Sequence, residues 1–292
     1  MIISASRRTD IPCYYSEWLF NRIKEKYVFT KNPLNLSQIK KIDLSPENVD
    51  GFVFWTKNPA PMLDSLYKLK DYAYYFQFTL NSYEIDIEPG LPDKREIIDT
   101  FRRLADIIGE TGAGRVIWRY DPIFLNDKYN VEYHAEHFER TSELLKGYAK
   151  KVIISFIDCY KKIAGNADKF NIRELDFSQK NLILKEFSNT AKADGFTVET
   201  CAENGDFSEY DIGRSKCVDG GLIEKISGRK LDADSLKKDK NQRQECGCVS
   251  SVDIGAYNCC PNGCVYCYAN YSAKSVKANF EKHNSGSSFL IY

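Results

Sequence analysis

Seven short runs of β-branched and aromatic residues, interleaved with segments of helical periodicity, set the first limit on how this chain folds. The runs are Ile2–Ser6, Gly51–Thr56, Ala73–Thr79, Arg115–Tyr120, Lys151–Ile157, Phe196–Thr200 and Ser251–Tyr257. Their composition suits buried strands. Between them, Ser16–Lys26 opens on a Ser cap, and Pro92–Gly109 repeats apolar residues at three- and four-residue spacing before a Gly stop. Val131–Lys150 and Phe177–Asp194 follow the same pattern. Strand and helix in alternation, joined by right-handed crossovers, give a parallel sheet covered by helices. The expected class is therefore α/β, and the repetition fits a partial or closed parallel (β/α) barrel of TIM-like form better than an open sheet. No GxGxxG or GxxxxGK[ST] follows any run, which argues against the nucleotide-binding open-sheet folds.

In a parallel barrel the chemistry sits at the carboxyl-terminal mouth. Polar residues just past each run are thus the first candidates: Arg7, Arg8 and Asp10; Lys57 and Asn58; Asn81; Arg119 and Asp121; Asp158 and Cys159; Cys201 and Glu203. Strand ends also turn polar simply because they meet water. The Arg119–Pro122 stretch after Val-Ile-Trp stands out most.

Residues 203–250 break the rhythm. They hold Gly-rich turns, a short helical stretch at Leu222–Ser227, the run KKDKNQR from Lys237 to Arg243, and Cys217, Cys246 and Cys248. A segment this long with little periodicity is functional, disordered or pinned, and three cysteines favour pinning. The chain divides into a barrel core (1–202), a cysteine-bearing insert (203–250) and a terminal strand with a cysteine loop (251–292).

Lys plus Arg and Asp plus Glu each number 41, so no global field draws the chain to nucleic acid or an anionic membrane. Nothing approaches the roughly 18 apolar residues of a membrane span. A cytoplasmic location is expected, with no membrane partner and nucleic acid disfavoured. In a reducing compartment clustered cysteines read as metal ligands or catalytic thiols rather than disulfides.

Four of the ten cysteines fall within residues 259–267, and Cys260, Cys264 and Cys267 have the spacing CxxxCxxC. Thiolates so spaced wrap one loop around a cubic iron–sulfur cluster and bind three of its four irons. Gly263 permits the tight turn and Pro261 restricts the backbone after the first ligand. The competing reading pairs Cys264 and Cys267 with Cys246 and Cys248 in a closed zinc site, which leaves Cys260 unused. Cys201, Cys217, Cys246 and Cys248 are the complement for a fully ligated second [4Fe-4S] cluster or a tetrahedral zinc, or else remain free thiols. Cys201 follows the sixth run, which puts this set beside the same mouth. Cys259 reads as a spectator; Cys13 and Cys159 are buried thiols or face the cavity. His134, His137 and His283 make no metal triad by spacing, and His134 and His137 are expected on a helix surface. KKDKNQR is a solvated face, or a landing site for an acidic electron donor or a phosphate backbone.

The CxxxCxxC motif, with Tyr266 directly before its third cysteine, resembles the cluster loop of the radical S-adenosylmethionine (radical SAM) enzymes. That resemblance implies a [4Fe-4S] cluster on Cys260, Cys264 and Cys267 whose open iron binds SAM, with Tyr266 near the adenine. It also implies a flavodoxin- or ferredoxin-like electron donor and a 5′-deoxyadenosyl radical that abstracts hydrogen from a substrate, here unknown. More widely, SASRRTDIP, VFWTKNPAPML, YYFQFTLN, VIWRYDPI, ISFID, ETCAE, ECGC and IGAYNCCPNGCVYCYAN together resemble an uncharacterised bacterial family with a radical-SAM-like cluster at its C-terminus. Radical SAM enzymes carry the loop after the first barrel strand, whereas here it begins at residue 260 of 292. The barrel is then circularly permuted, with Ser251–Tyr257 supplying the customary first strand last. Arg119 and Lys57 on the rim are candidate partners for the SAM carboxylate. The alternatives are a zinc-stabilised binding protein without redox chemistry and an enzyme resembling spore photoproduct lyase acting on DNA, which the neutral charge disfavours.

Overall fold

The structure, a computed structural model, describes residues 1–159 and 162–292. Its strands are β1 (Ile2–Ala5), β2 (Tyr27–Asn32), β3 (Asn35–Asp43), β4 (Gly51–Thr56), β5 (Tyr74–Thr79), β6 (Val116–Ile123), β7 (Lys151–Phe156), β8 (Thr197–Thr200), β9 (Gly213–Arg214) and β10 (Val252–Asp253). Eight of them form one sheet in the order β10-β1-β4-β5-β6-β7-β8-β9, every pairing parallel. The sheet does not close: β10 and β9 stand at opposite edges. A closed barrel is therefore not formed among the described residues.

Alternate residues along each strand serve different layers. Ile3, Phe52, Phe54, Phe76, Phe78, Trp118, Val152 and Ile154 pack into one core with the helices Ser16–Glu25, Lys94–Ile108, Val131–Leu145 and Phe177–Asp194. Ile2, Val53, Tyr75, Ile117 and Ile153 point the other way and meet Cys217, Val218, Ile223, Cys246, Cys248 and Val249 of the 203–250 segment. That segment is thus pinned over the face of the sheet opposite those helices, and burying each of its large apolar side chains stabilises the arrangement by about 1.5–3 kcal/mol.

Six of the seven expected strands form close to their predicted bounds. The seventh is reduced to the two residues of β10, because Ser250 onward makes ladder bonds to β1 only at Val252 and Asp253 before the chain leaves the sheet. β6 runs three residues further than expected, through Pro122, with a register shift after Tyr120. The antiparallel hairpin of β2 and β3 was not legible, since β3 is exposed at every position but one and its turn, Pro33-Leu34, lacks the Gly or Asn that marks tight hairpins. The helix Ala273–Lys282, capped by Ser272, has no buried residue, so its apolar stripe was too thin to read. His134 corrects another expectation: it is fully buried, not on a surface. The buried stripe of its helix is His134, Phe138, Ser142 and Leu145, a helical repeat in which two members are polar and internally bonded. Among the described residues no helix is long and apolar enough to cross a membrane.

Candidate metal and ligand site

The carboxyl-terminal ends of the strands surround a cavity of 1210 Å³. Of the residues predicted for the rim, Arg7, Arg8, Asp10, Lys57, Arg119, Asp121, Asp158, Cys201 and Glu203 line it, while Asn58, Asn81 and Cys159 do not. The sharper result concerns sulfur. Cys201, Cys217, Cys246, Cys248, Cys260, Cys264 and Cys267 all line this cavity, whereas Cys13, Cys159 and Cys259 do not. Cys159, expected to be buried, is exposed.

The CxxxCxxC loop is held by backbone and amide contacts from four parts of the chain. The Gly90 N–H donates to the Asn262 carbonyl at 2.9 Å, and the Val265 N–H to Ile87 at 3.0 Å. The Tyr14 hydroxyl donates to Asn262 Oδ1 at 2.8 Å, Asn166 Nδ2 to the Val265 carbonyl at 2.8 Å, and Asn270 Nδ2 to the Cys260 carbonyl at 2.6 Å. Tyr15 donates to the carbonyl of Cys259. Gly263 sits at φ +66°, the left-handed turn for which a glycine was expected. Burial pushes all three thiols up, Cys264 to about 12, so without a metal they are held protonated.

Tyr266 is half-buried in this loop with its ring against Tyr83 and Phe124. Its hydroxyl donates to Glu88 and accepts from Lys57 Nζ at 2.8 Å and Asn81 Nδ2 at 3.0 Å. Lys57 also bonds Glu88 at 2.8 Å, and Lys94 reaches the other Glu88 oxygen at 2.5 Å. Burial alone would raise the Glu88 carboxyl, but Lys57 and Lys94 outweigh it and hold it at about 2. Glu88 and Lys94 were missed because each lies in a loop or helix start with no local signal, and their pairing exists only in the fold.

The second set is built from sulfur contacts. The sulfurs of Cys201 and Cys217 are 3.3 Å apart, and the Val218 N–H donates to Cys248 at 3.3 Å. Cys248 bonds both Cys217 and Cys246, completing a chain of four neighbours. Bonds from Cys201 and Cys248, with Arg119 beside it, hold the Cys217 thiol well below its ordinary value; Cys246, bonded to Cys248, falls to about 6. Arg119 Nη1 lies 3.0 Å from Cys217, and the same guanidinium donates to Asp121. The charged run of the insert is not wholly solvated either: Asp239, Asn241, Gln242 and Arg243 line the cavity, and Arg243 bridges to Asp158 at 2.6 Å.

Among the described residues no group of three or more His, Cys, Asp or Glu side chains is arranged so that it could hold a metal ion. The donor chemistry nevertheless fits iron–sulfur clusters, which thiolates alone can ligate. One set is a clamped loop of three thiols open to a cavity; the other is a chain of four thiols in which Cys217 and Cys246 are pushed down and Cys201 and Cys248 pushed up by their sulfur neighbours. Lys57 belongs to the first set and Arg119 to the second, so the two candidates for a SAM carboxylate are not equivalent.

No curated protein and no solved structure matches the chain. Residues 2–269, which take in every strand and all the cavity-lining cysteines, match the family model described as Domain of unknown function (DUF1848), and the chain belongs to that family.

Proposed function

We propose that this protein is a radical SAM enzyme with a [4Fe-4S] cluster on Cys260, Cys264 and Cys267 and a second metal–thiolate centre on Cys201, Cys217, Cys246 and Cys248. The observation that carries the reading is the sorting of the cysteines: seven enter one cavity and three stay out. When bound, the first cluster would supply the electron that cleaves SAM to methionine and a 5′-deoxyadenosyl radical able to abstract hydrogen from a substrate. The chain's own part is to position and to exclude water. Lys57, beside Cys264 and raised by Glu88 despite its burial, is the better placed cation for the SAM carboxylate. Both cations already have partners, Lys57 in Glu88 and Tyr266 and Arg119 in Cys217 and Asp121, but only Lys57 stands beside the CxxxCxxC thiols.

The fold supports this reading at a finer level. Strands that follow one another across the sheet, with the long helices on one face, favour the wall of an open (β/α) barrel over a doubly wound sheet. Because β10 pairs beside β1, the cysteine loop leaves the strand that precedes β1 in space while following it in sequence, as a circular permutation requires.

Anaerobically reconstituted protein should contain iron and acid-labile sulfide and should convert SAM to 5′-deoxyadenosine under a low-potential reductant, an activity absent from Cys264→Ser. Colourless protein that holds zinc and no sulfide would reverse the conclusion in favour of a zinc-stabilised binding protein.

A further inference from the structure

Seven buried side-chain polar atoms among the described residues have no hydrogen-bond partner, and five of these belong to residues that line the cavity: Arg7, Thr9, Trp55, Ser251 and Asn270. A buried polar group left unpaired bears the full cost of its desolvation. Unpaired groups along the lining of a cavity mark places where a bound ligand would supply the missing contacts.

Two of the five, Arg7 Nη2 and Trp55 Nε1, can only donate. They are neighbours, with the Arg7 guanidinium 4.9 Å from the centroid of the Trp55 ring, which fixes the orientation of its fork. Arg119 lies 5.2 Å from the same indole, so two cations flank it. The nearby carboxylates are otherwise engaged. Asp253 accepts from Ser4 at 3.1 Å, Ser6 at 2.5 Å and the backbone N–H groups of Arg7 and Gly255, each at 2.9 Å. Asp121 accepts from Arg119 and Ser155. What remains is positive charge and two buried N–H groups without a partner, on residues that line the cavity.

From this wall we propose that Arg7 and Trp55 form a subsite for an oxyanion, the carboxylate or phosphate of a ligand other than SAM. The subsite stands on its own geometry. Naming that ligand as the substrate rests on the radical SAM reading, and the substrate class is then a small acid. The Arg7 guanidinium is also hydrogen-bonded to Cys248, so the test must separate service to a ligand from service to the thiolates.

Metal-reconstituted full-length protein, Arg7→Gln and Trp55→Phe are compared by thermal midpoint as inorganic phosphate replaces chloride at constant ionic strength. Each is also assayed for iron content and SAM affinity. Phosphate should raise the wild-type midpoint in a saturable way. Its apparent affinity should fall about tenfold or more in Arg7→Gln, where a charge-assisted bond is lost, and less in Trp55→Phe. Iron and SAM affinity should be unchanged in both. No saturable response in the wild type, or the same response in all three proteins, overturns the proposal. Loss of iron in Arg7→Gln assigns the arginine to the thiolate centre, and loss of SAM affinity assigns the oxyanion to SAM; either overturns it. Wild-type protein without iron but with an Arg7-dependent phosphate response keeps the subsite and sinks the radical reading instead.

Discussion

The two cysteine sets share a cavity and are built by opposite means. The CxxxCxxC loop is local in sequence, and its thiols are held in place by hydrogen bonds to the backbone around them. The other set draws on residues 201, 217, 246 and 248, and its sulfurs touch each other and Arg119 directly. A preformed loop keeps its shape whatever it binds. A set of thiols packed on one another is held by the groups that would bind metal, so its shape and its occupant depend on each other.

Separate removal of the two sets gives the largest expected effect. Cys264→Ser should abolish reductive SAM cleavage while leaving the second centre's metal in place. Cys217→Ser should empty the second centre, retain the first cluster and lower thermal stability, because the insert then keeps only its apolar contacts, hydrogen bonds and the Arg243–Asp158 pair. Arg119→Gln should weaken metal binding at the second centre by about 10–100-fold, as loss of an outer hydrogen bond to a ligand typically does. Metal analysis and electron paramagnetic resonance distinguish these outcomes. If Cys217→Ser also loses the first cluster, the two sets are one unit and the comparison fails.

Glu88 tests what supports the first set. Its carboxylate stands between Lys57 and Lys94 and accepts from Tyr266. Glu88→Gln leaves the partly buried ammonium groups of Lys57 and Lys94 without their counter-charge, which should cost less than the roughly 3–5 kcal/mol of breaking a fully buried pair but clearly more than a surface substitution. Denaturant unfolding measures it. A loss within the range of a surface substitution would mean that the lysines find other partners.

His134 extends the test to the aromatic cluster behind Tyr266, where it meets the edge of Tyr83. Its Nε2–H donates to the Phe124 carbonyl at 2.9 Å, which leaves Nδ1 to accept from the Tyr120 hydroxyl at 2.8 Å, an arrangement only the neutral ring satisfies. Burial lowers its pKa from 6.5 to about 4. The unfolded chain therefore takes up a proton that the fold refuses. The stability is full above pH 6.5 and falls by roughly 3 kcal/mol as the pH drops toward 4. Comparing pH titrations of stability in wild type and His134→Gln isolates this component; parallel curves would refute it.

How much of this was legible in the sequence follows from the range of each interaction. β4, β5 and β7 could be read because both faces of each strand are buried, so their apolar runs are nearly unbroken. The seven cysteines that line the cavity could be named because cysteines crowded at short spacing are themselves the signal. The pairing of Lys57 with Glu88, the stacking of Arg7 on Trp55 and the burial of His134 could not. Each depends on a partner brought close only by the sheet, and none leaves a mark on its neighbours in sequence. The hairpin of β2 and β3 failed for the opposite reason: it buries so little that it imposes almost no pattern.

The smallest effect probes how tightly the loop is clamped. Gly90 approaches Asn262 so closely that a Cβ would lie 2.6 Å from its carbonyl oxygen and 2.7 Å from its Cα. Both obstacles are backbone within the CxxxCxxC loop and cannot swing aside as a side-chain tip would. Gly90→Ala should therefore cost about 1–3 kcal/mol as overpacking, more than the 0.4–1 kcal/mol that a lower unfolded-state entropy ordinarily returns on such a change. It should also displace Asn262 and reduce iron at the first cluster while the second centre keeps its metal. Gly114, where a Cβ meets nothing within 4 Å, supplies the control. Gly114→Ala should leave both centres intact and raise stability slightly. Equal stability of the two variants, with both centres filled, would show that the loop yields to its neighbours, and the contrast between a rigid first set and a mutually dependent second would dissolve.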